Sequence, residues 1–193
     1  MRHRILAVLL PLALSACGYN TIQTYDEQAA SAKQQIEVQL QRRADLVPNL
    51  VSTVKGFAQQ ELEVLTNVTR ARAGLIDAIK SGDPERMANS DAQLSAQLAI
   101  VNRSVVEAYP QLQSDQSFLR LQDELTGTEN RISTARQDYN DAVKVYNTHI
   151  RTFPTALTAK VTGAKSRTYF DVTNAAAKDA PAVDFTKPAT KSP

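Results

Sequence analysis

Phe118, Leu121, Leu125, Thr128, Ile132, Ala135, Tyr139, Ala142, Tyr146 and His149 follow one another in alternating steps of three and four. Strand residues that share a face recur every second position, so this spacing belongs to a helix. A seam sustained over more than four heptads requires one long α-helix that buries a single stripe against partner helices. The chain of 193 residues has only 6 Gly and one Cys. That suits one helix-rich domain whose core needs no disulfide.

The N-terminus has a different character. Arg2, His3 and Arg4 precede an apolar run from Ile5 to Leu14, and Ser15 and Ala16 precede Cys17. The run is shorter than the about 20 residues needed to span a bilayer, and it has the layout of a signal peptide. Leu14-Ser15-Ala16-Cys17 resembles a bacterial lipobox, which implies lipidation of Cys17 and removal of residues 1–16. Two or three acyl chains on that residue would anchor the protein stably. Residues 1–16 hold two of the 22 basic side chains, Arg2 and Arg4, and none of the 20 acids. The remainder is formally neutral, which gives no argument for nucleic-acid binding.

Residues 17–24 read as the lipidated Cys and a spacer. Ile22, Tyr25, Ala29, Ala32, Ile36 and Leu40 then mark a first helix over about 25–44. Asp45-Leu46-Val47-Pro48-Asn49 reads as a tight turn with Asp45 capping the next helix; the alternative is a kink at Pro48 in one continuous helix. The second helix, to about Ser81, uses Val51, Val54, Ala58, Leu65, Val68, Leu75 and Ile79, with Glu61 and Arg72 in two seam positions. Gly56 costs this helix roughly 1 kcal/mol relative to Ala, which suggests a close approach to its backbone. Ser81-Gly82-Asp83-Pro84-Glu85 is the clearest turn, with Gly82 ending one helix and Asp83 capping the next. The third helix stops at Tyr109-Pro110. The fourth starts near Ser114 or Asp115, carries the seam, and ends at Thr152-Phe153-Pro154. Short turns force alternating directions, so the expected fold is all-α: an elongated, antiparallel up-down-up-down four-helix bundle over residues 25–170. The membrane would lie at the start of the first and third helices and the end of the fourth. Residues 171–193 read as a low-complexity, partly disordered extended tail in which Val183 and Phe185 form an apolar pair able to dock.

Gln39-Leu40-Gln41-Arg42-Arg43-Ala44-Asp45-Leu46-Val47-Pro48-Asn49-Leu50-Val51, followed by Thr53-Val54-Lys55-Gly56-Phe57, resembles the signature of the LemA family. Leu121-Gln122-Asp123-Glu124-Leu125, Thr128-Glu129-Asn130-Arg131-Ile132, Tyr139-Asn140, Tyr146-Asn147 and Val183-Asp184-Phe185 extend the likeness across about residues 18–186. The resemblance implies an antiparallel helical bundle outside the cytoplasm and no agreed biochemical activity. Many members carry an N-terminal transmembrane helix, for which the lipid on Cys17 would substitute here.

Arg43, Glu61, Arg72, Glu124, Glu129, Arg131 and Arg136 lie on or beside the seams. They read either as a charged site between helices or, preferably, as a buried ion-pair network that fixes register. Tyr139-Asn140 and Tyr146-Asn147 repeat at a spacing of seven. They are either a binding stripe or, more economically, two core rings whose hydroxyls and neighbouring amides satisfy one another. Metal binding is not expected: His149 is the one histidine after residue 16, and Tyr146 stands where a Glu-x-x-His motif needs Glu. Neither a nucleophile elbow nor a phosphate-cradling loop occurs, so no cofactor is implied. These features point to a non-enzymatic scaffold or adaptor of the bacterial envelope, lipid-anchored and facing the periplasm or cell exterior. Its partners would be the membrane and other envelope proteins. The rival readings are an envelope hydrolase using carboxylates and a membrane-remodelling protein whose first candidate contacts are near Phe57 and Phe153.

Overall fold

A computed structural model describes residues 2–58 and 60–172; of residues 2–17 and 104–106 it describes the backbone alone. The fold is all-α and elongated. Among the described residues six helices follow in order: α1 Arg2–Phe57, α2 Leu62–Ser81, α3 Pro84–Ala108, α4 Pro110–Gln113, α5 Gln116–His149 and α6 Thr155–Thr162. The 34 residues of α5 span about 51 Å. It lies antiparallel to α1, as shown by Arg43 against Glu129 at one level and Tyr25 against His149 at another. The seam is the reason: Phe118, Leu125, Thr128, Ile132, Ala135, Tyr139 and Tyr146 are all buried. They face a matching stripe on α1 of Ala29, Ala32, Ile36, Leu40, Ala44, Val47 and Leu50. The α2–α3 hairpin packs on the outer part of α1. Its turn sits beside Lys33, whose Nζ donates to the Gly82 carbonyl at 3.0 Å.

The turn signals at 81–85 act as their chemistry requires. Gly82 adopts φ 66°, which permits the left-handed position that a side chain would resist. The Asp83 carboxylate accepts from Glu85 N at 3.0 Å, and Asp115 caps α5 by accepting from Phe118 N at 2.8 Å.

The expected turn at 45–49 does not form. α1 continues through Pro48 as the one continuous helix of the alternative reading, and the chain reverses between Phe57 and Leu62. Asp45 caps nothing; its carboxylate accepts from Gln41 Nε2 at 2.8 Å. Pro48 has no N–H to give the Ala44 carbonyl four residues earlier. That carbonyl accepts instead from Arg72 Nε of α2 at 2.7 Å. A residue of the neighbouring helix therefore supplies the donor that proline lacks, and the helix has no need to end. Nor, among the described residues, does anything approach Gly56, where a Cβ would meet no neighbouring atom within 4 Å. The bundle also differs from the expected four-sided form. α5 packs chiefly on α1 rather than among three partners. The start of α3 lies beside Lys33, roughly 22 Å up α1 from Gly18, and so away from the end expected at the membrane. Residues 18–24, expected as a spacer, are helical, and Ile22 among them is buried.

Arg72→Ala should cost about 1–3 kcal/mol by leaving the carbonyl of a fully buried residue unpaired. In a Pro48→Ala background, where residue 48 regains its N–H, urea unfolding should show most of that cost removed. Equal costs in the two backgrounds would refute this account.

Candidate functional site

The polar residues on the seams separate into three local arrangements. The first is centred on Arg43 of α1, which is 4% exposed. Its Nη1 lies 2.8 Å from Asp91 Oδ1 of α3 and 2.5 Å from Glu129 Oε2 of α5. One guanidinium thus joins three helices. Asp91 is as deeply buried as Arg43, whereas Glu129 reaches solvent. Burial pushes the Asp91 carboxyl above the usual carboxylate range; Arg43 opposes the shift and Glu129 adds to it. A groove of about 210 Å³ opens over Arg43, Leu98, Leu125 and Glu129, and Asp91 does not line it. Both carboxylates are engaged by the same cation, an arrangement suited to holding register.

The second arrangement is Arg72 on the Ala44 carbonyl. The remaining expected members stand apart. Glu61 is half-buried at the N-cap position of α2 without a side-chain capping bond, and Glu124 is exposed. Arg131 is also exposed, lining a groove of about 580 Å³ between α1 and α5 with Gln34, Val38, Thr134 and Asp138. Asp91 falls on the frame of α3, four residues after Met87 and three before Leu94, both buried; a frame read from its apolar members alone passes over it, although its position was the signal.

The third arrangement has the most defined chemistry. After α6, Gly163 at φ 73° turns the chain back, and residues 164–172 run without secondary structure along α5. The Asn147 amide donates to the Arg167 carbonyl at 2.9 Å and accepts from Arg167 N at 2.8 Å. Asn140 does the same for Phe170, at 3.2 and 2.9 Å. Tyr139 Oη donates to the Thr168 carbonyl at 2.7 Å. Seven helical residues rise about 10.5 Å, and three extended residues reach about 10 Å. The Tyr-Asn repeat therefore measures out an extended backbone. Tyr139, Asn140 and Asn147 of the repeat are satisfied by this strap and Tyr146 hydrogen-bonds Asp26, where the hydroxyls and amides were expected to satisfy one another. Side chains complete the contact: the Arg136 guanidinium lies 5.2 Å from the centre of the buried Phe170 ring, and Arg167 Nε lies 2.8 Å from Asp26 Oδ1 of α1. Hydrogen bonding to Arg167 holds the Asp26 carboxyl below its usual range.

His149 packs edge-on against Tyr25, with ring centres 5.0 Å apart, and its Nε2 is buried without a hydrogen-bond partner. Among the described residues, no cluster of three or more His, Cys, Asp or Glu is placed to hold a metal ion, and no helix is long and apolar enough to cross a membrane. Cys17, Val183 and Phe185 lie outside the residues whose side chains are described, as does the expected disorder of the tail beyond residue 172.

Arg43→Met should cost about 3–5 kcal/mol, because it leaves Asp91 buried without its cation, and Arg43→Met with Asp91→Leu should recover most of that loss. Urea unfolding midpoints test this, with no recovery in the double variant as the contrary result. Asn147→Ala should expose the amides of residues 164–172 to hydrogen exchange while leaving α5 protected. Because the folded pKa of Asp26 is lowered, its contribution to strap docking is complete above the ordinary carboxyl value of 3.8. It should fade as pH falls through the depressed folded pKa. Asp26→Asn should remove this acid-side loss of protection, and an unchanged pH profile would contradict the assignment.

Comparison with known proteins finds relatives over most of the chain. Two Paramagnetospirillum magneticum proteins, Magnetosome protein MamQ 1 and Magnetosome protein MamQ 2, are each 29% identical over 188 residues, covering 86% of this chain and 69% of theirs. Magnetosome protein MamQ of Magnetospirillum gryphiswaldense is 26% identical over 177 residues, covering 79% of this chain and 64% of its own. Residues 32–185 match the LemA family, a span that takes in the Arg43 centre, the Pro48 passage and the strap with its two asparagines, and the chain belongs to that family.

Proposed function

We propose that this protein is a non-catalytic helical scaffold or adaptor of the bacterial envelope, held at the membrane by lipid on Cys17 and facing the periplasm or cell exterior. On this reading residues 1–16 are the signal peptide, and the packed body begins almost at the anchor. The observation that carries it is the internal use of the polar side chains on the seams. Arg43 holds Asp91 and Glu129, Arg72 holds the Ala44 carbonyl, and Asn140 and Asn147 hold the strap. These groups have the partners that a rigid body needs, which favours a structural role over carboxylate-based hydrolysis. Membrane association is the part of the reading that the likeness to magnetosome proteins supports.

In cell fractionation the wild-type protein should remain with membranes after a high-salt wash, and the Cys17→Ala protein should be released. Retention of the variant would overturn the lipid anchor. Crosslinking of the anchored protein in cells should capture at least one envelope protein, and capture of none above background would overturn the adaptor role.

A further inference from the structure

Helix α6 is inside out for a protein surrounded by water. It buries Thr155 and Ala159 against α1 near Gly18 and Ile22, where a Cβ in place of the Gly18 hydrogen would lie 3.4 Å from Thr158 Oγ1 and Ile22 joins Ala159 in a small core. Its large apolar side chains point outward: Leu157 is 62% exposed and Val161 88%, and Phe153, one turn earlier, is 78% exposed. Leu157 and Val161 are four residues apart in α6, which places them along one side, and Phe153 stands in the turn just before the helix. Nothing in the packing of α6 calls for an outward Leu and Val, and residues of this size are ordinarily drawn inside.

Position and charge indicate what covers them. Cys17, which carries the lipid on the reading above, directly precedes Gly18 at this end, and the exposed Tyr19 follows it. Between Asp141 and Asp171 the sequence has no acidic residue, while it holds Lys144, Arg151, Lys160, Lys165 and Arg167. Of these, Arg167 is taken up by Asp26, and Arg151 reaches the Ser166 hydroxyl at 3.4 Å. On the facing part of α1 the acids are that paired Asp26 and the exposed Glu27. An outward apolar ridge flanked by lysines is the pattern of a surface that enters the boundary between headgroups and acyl chains.

We infer that the Phe153–Val161 face is a second membrane contact, in which Phe153, Leu157 and Val161 insert at the bilayer surface and Lys160 and Lys165 meet anionic headgroups. This rests on the membrane-anchored reading above and adds an orientation to it: α6 lies against the bilayer and the α2–α3 hairpin is held away.

The chain contains no Trp, so single reporters are clean. The full-length anchored protein carrying Val161→Trp, reconstituted in vesicles of phosphatidylglycerol and brominated phosphatidylcholine, should lose roughly half its emission or more. Leu62→Trp, exposed on the hairpin, should lose none. Adding Lys160→Glu and Lys165→Glu should weaken the interfacial contact about ten-fold. Unquenched Val161→Trp in protein that floats with the vesicles would overturn the second contact while leaving the anchor intact. Flotation of a Cys17→Ala form equal to wild type, with Val161→Trp quenched, would instead overturn the anchor and keep the contact. A blue shift that grows with protein concentration in the absence of lipid would assign the face to a second copy of the chain and overturn the inference. Failure of the full-length protein to float would overturn both.

Discussion

The packing of α1 against α5 is the constraint on which the rest of the structure depends. Each helix offers one apolar stripe, and neither stripe is covered until the other lies on it. Burial of Ile36, Leu40, Val47, Ile132, Tyr139 and Val143 along this contact supplies the driving force. Two helices leave their flanks open, however. The α2–α3 hairpin closes one level of the pair, from Lys33 outward. Nearer the chain's start, the strap and α6 close it instead.

The strap meets a different requirement. An extended segment against a helix has no ladder to satisfy its N–H and C=O groups, and leaving them unpaired is costly. Asn140 and Asn147 meet that need with one donor and one acceptor each, as two strand residues would. Ala44 and Arg72 follow the same logic on a smaller scale, with a side chain of one element completing the backbone of another. The fold is thus held together by apolar stripes and by side chains that finish neighbouring backbones. A tight ionic knot at Arg43 joins three helices.

Much of the fold was legible. The heptad seam gave α5, and the Gly82-Asp83-Pro84 turn gave the hairpin with its cap residues. The first reversal was misplaced because proline usually interrupts a helix, while the heptad frame runs unbroken from Val51 to Leu75 across the true turn. Periodicity cannot reveal a reversal that keeps the same apolar frame, and propensity cannot reveal a donor that arrives from a distant helix. Among the expected polar residues, Arg43 and Glu129 do meet, but the third member is Asp91. Glu61, Glu124 and Arg131 lie on or beside the seams without sharing the place.

The sequence by itself determined the helical class, the long seam, the caps and the apolar N-terminal run, because these follow from local periodicity and from residues acting on their own backbone. Tertiary structure alone decided that Pro48 stays inside a helix, that Asp91 completes the Arg43 centre, and that the asparagines bind a strap instead of each other. It also decided that α6 turns Leu157 and Val161 outward. Each of those outcomes is a pairing between groups far apart in the chain, and only the folded arrangement sets which distant donor, charge or surface arrives opposite a given residue.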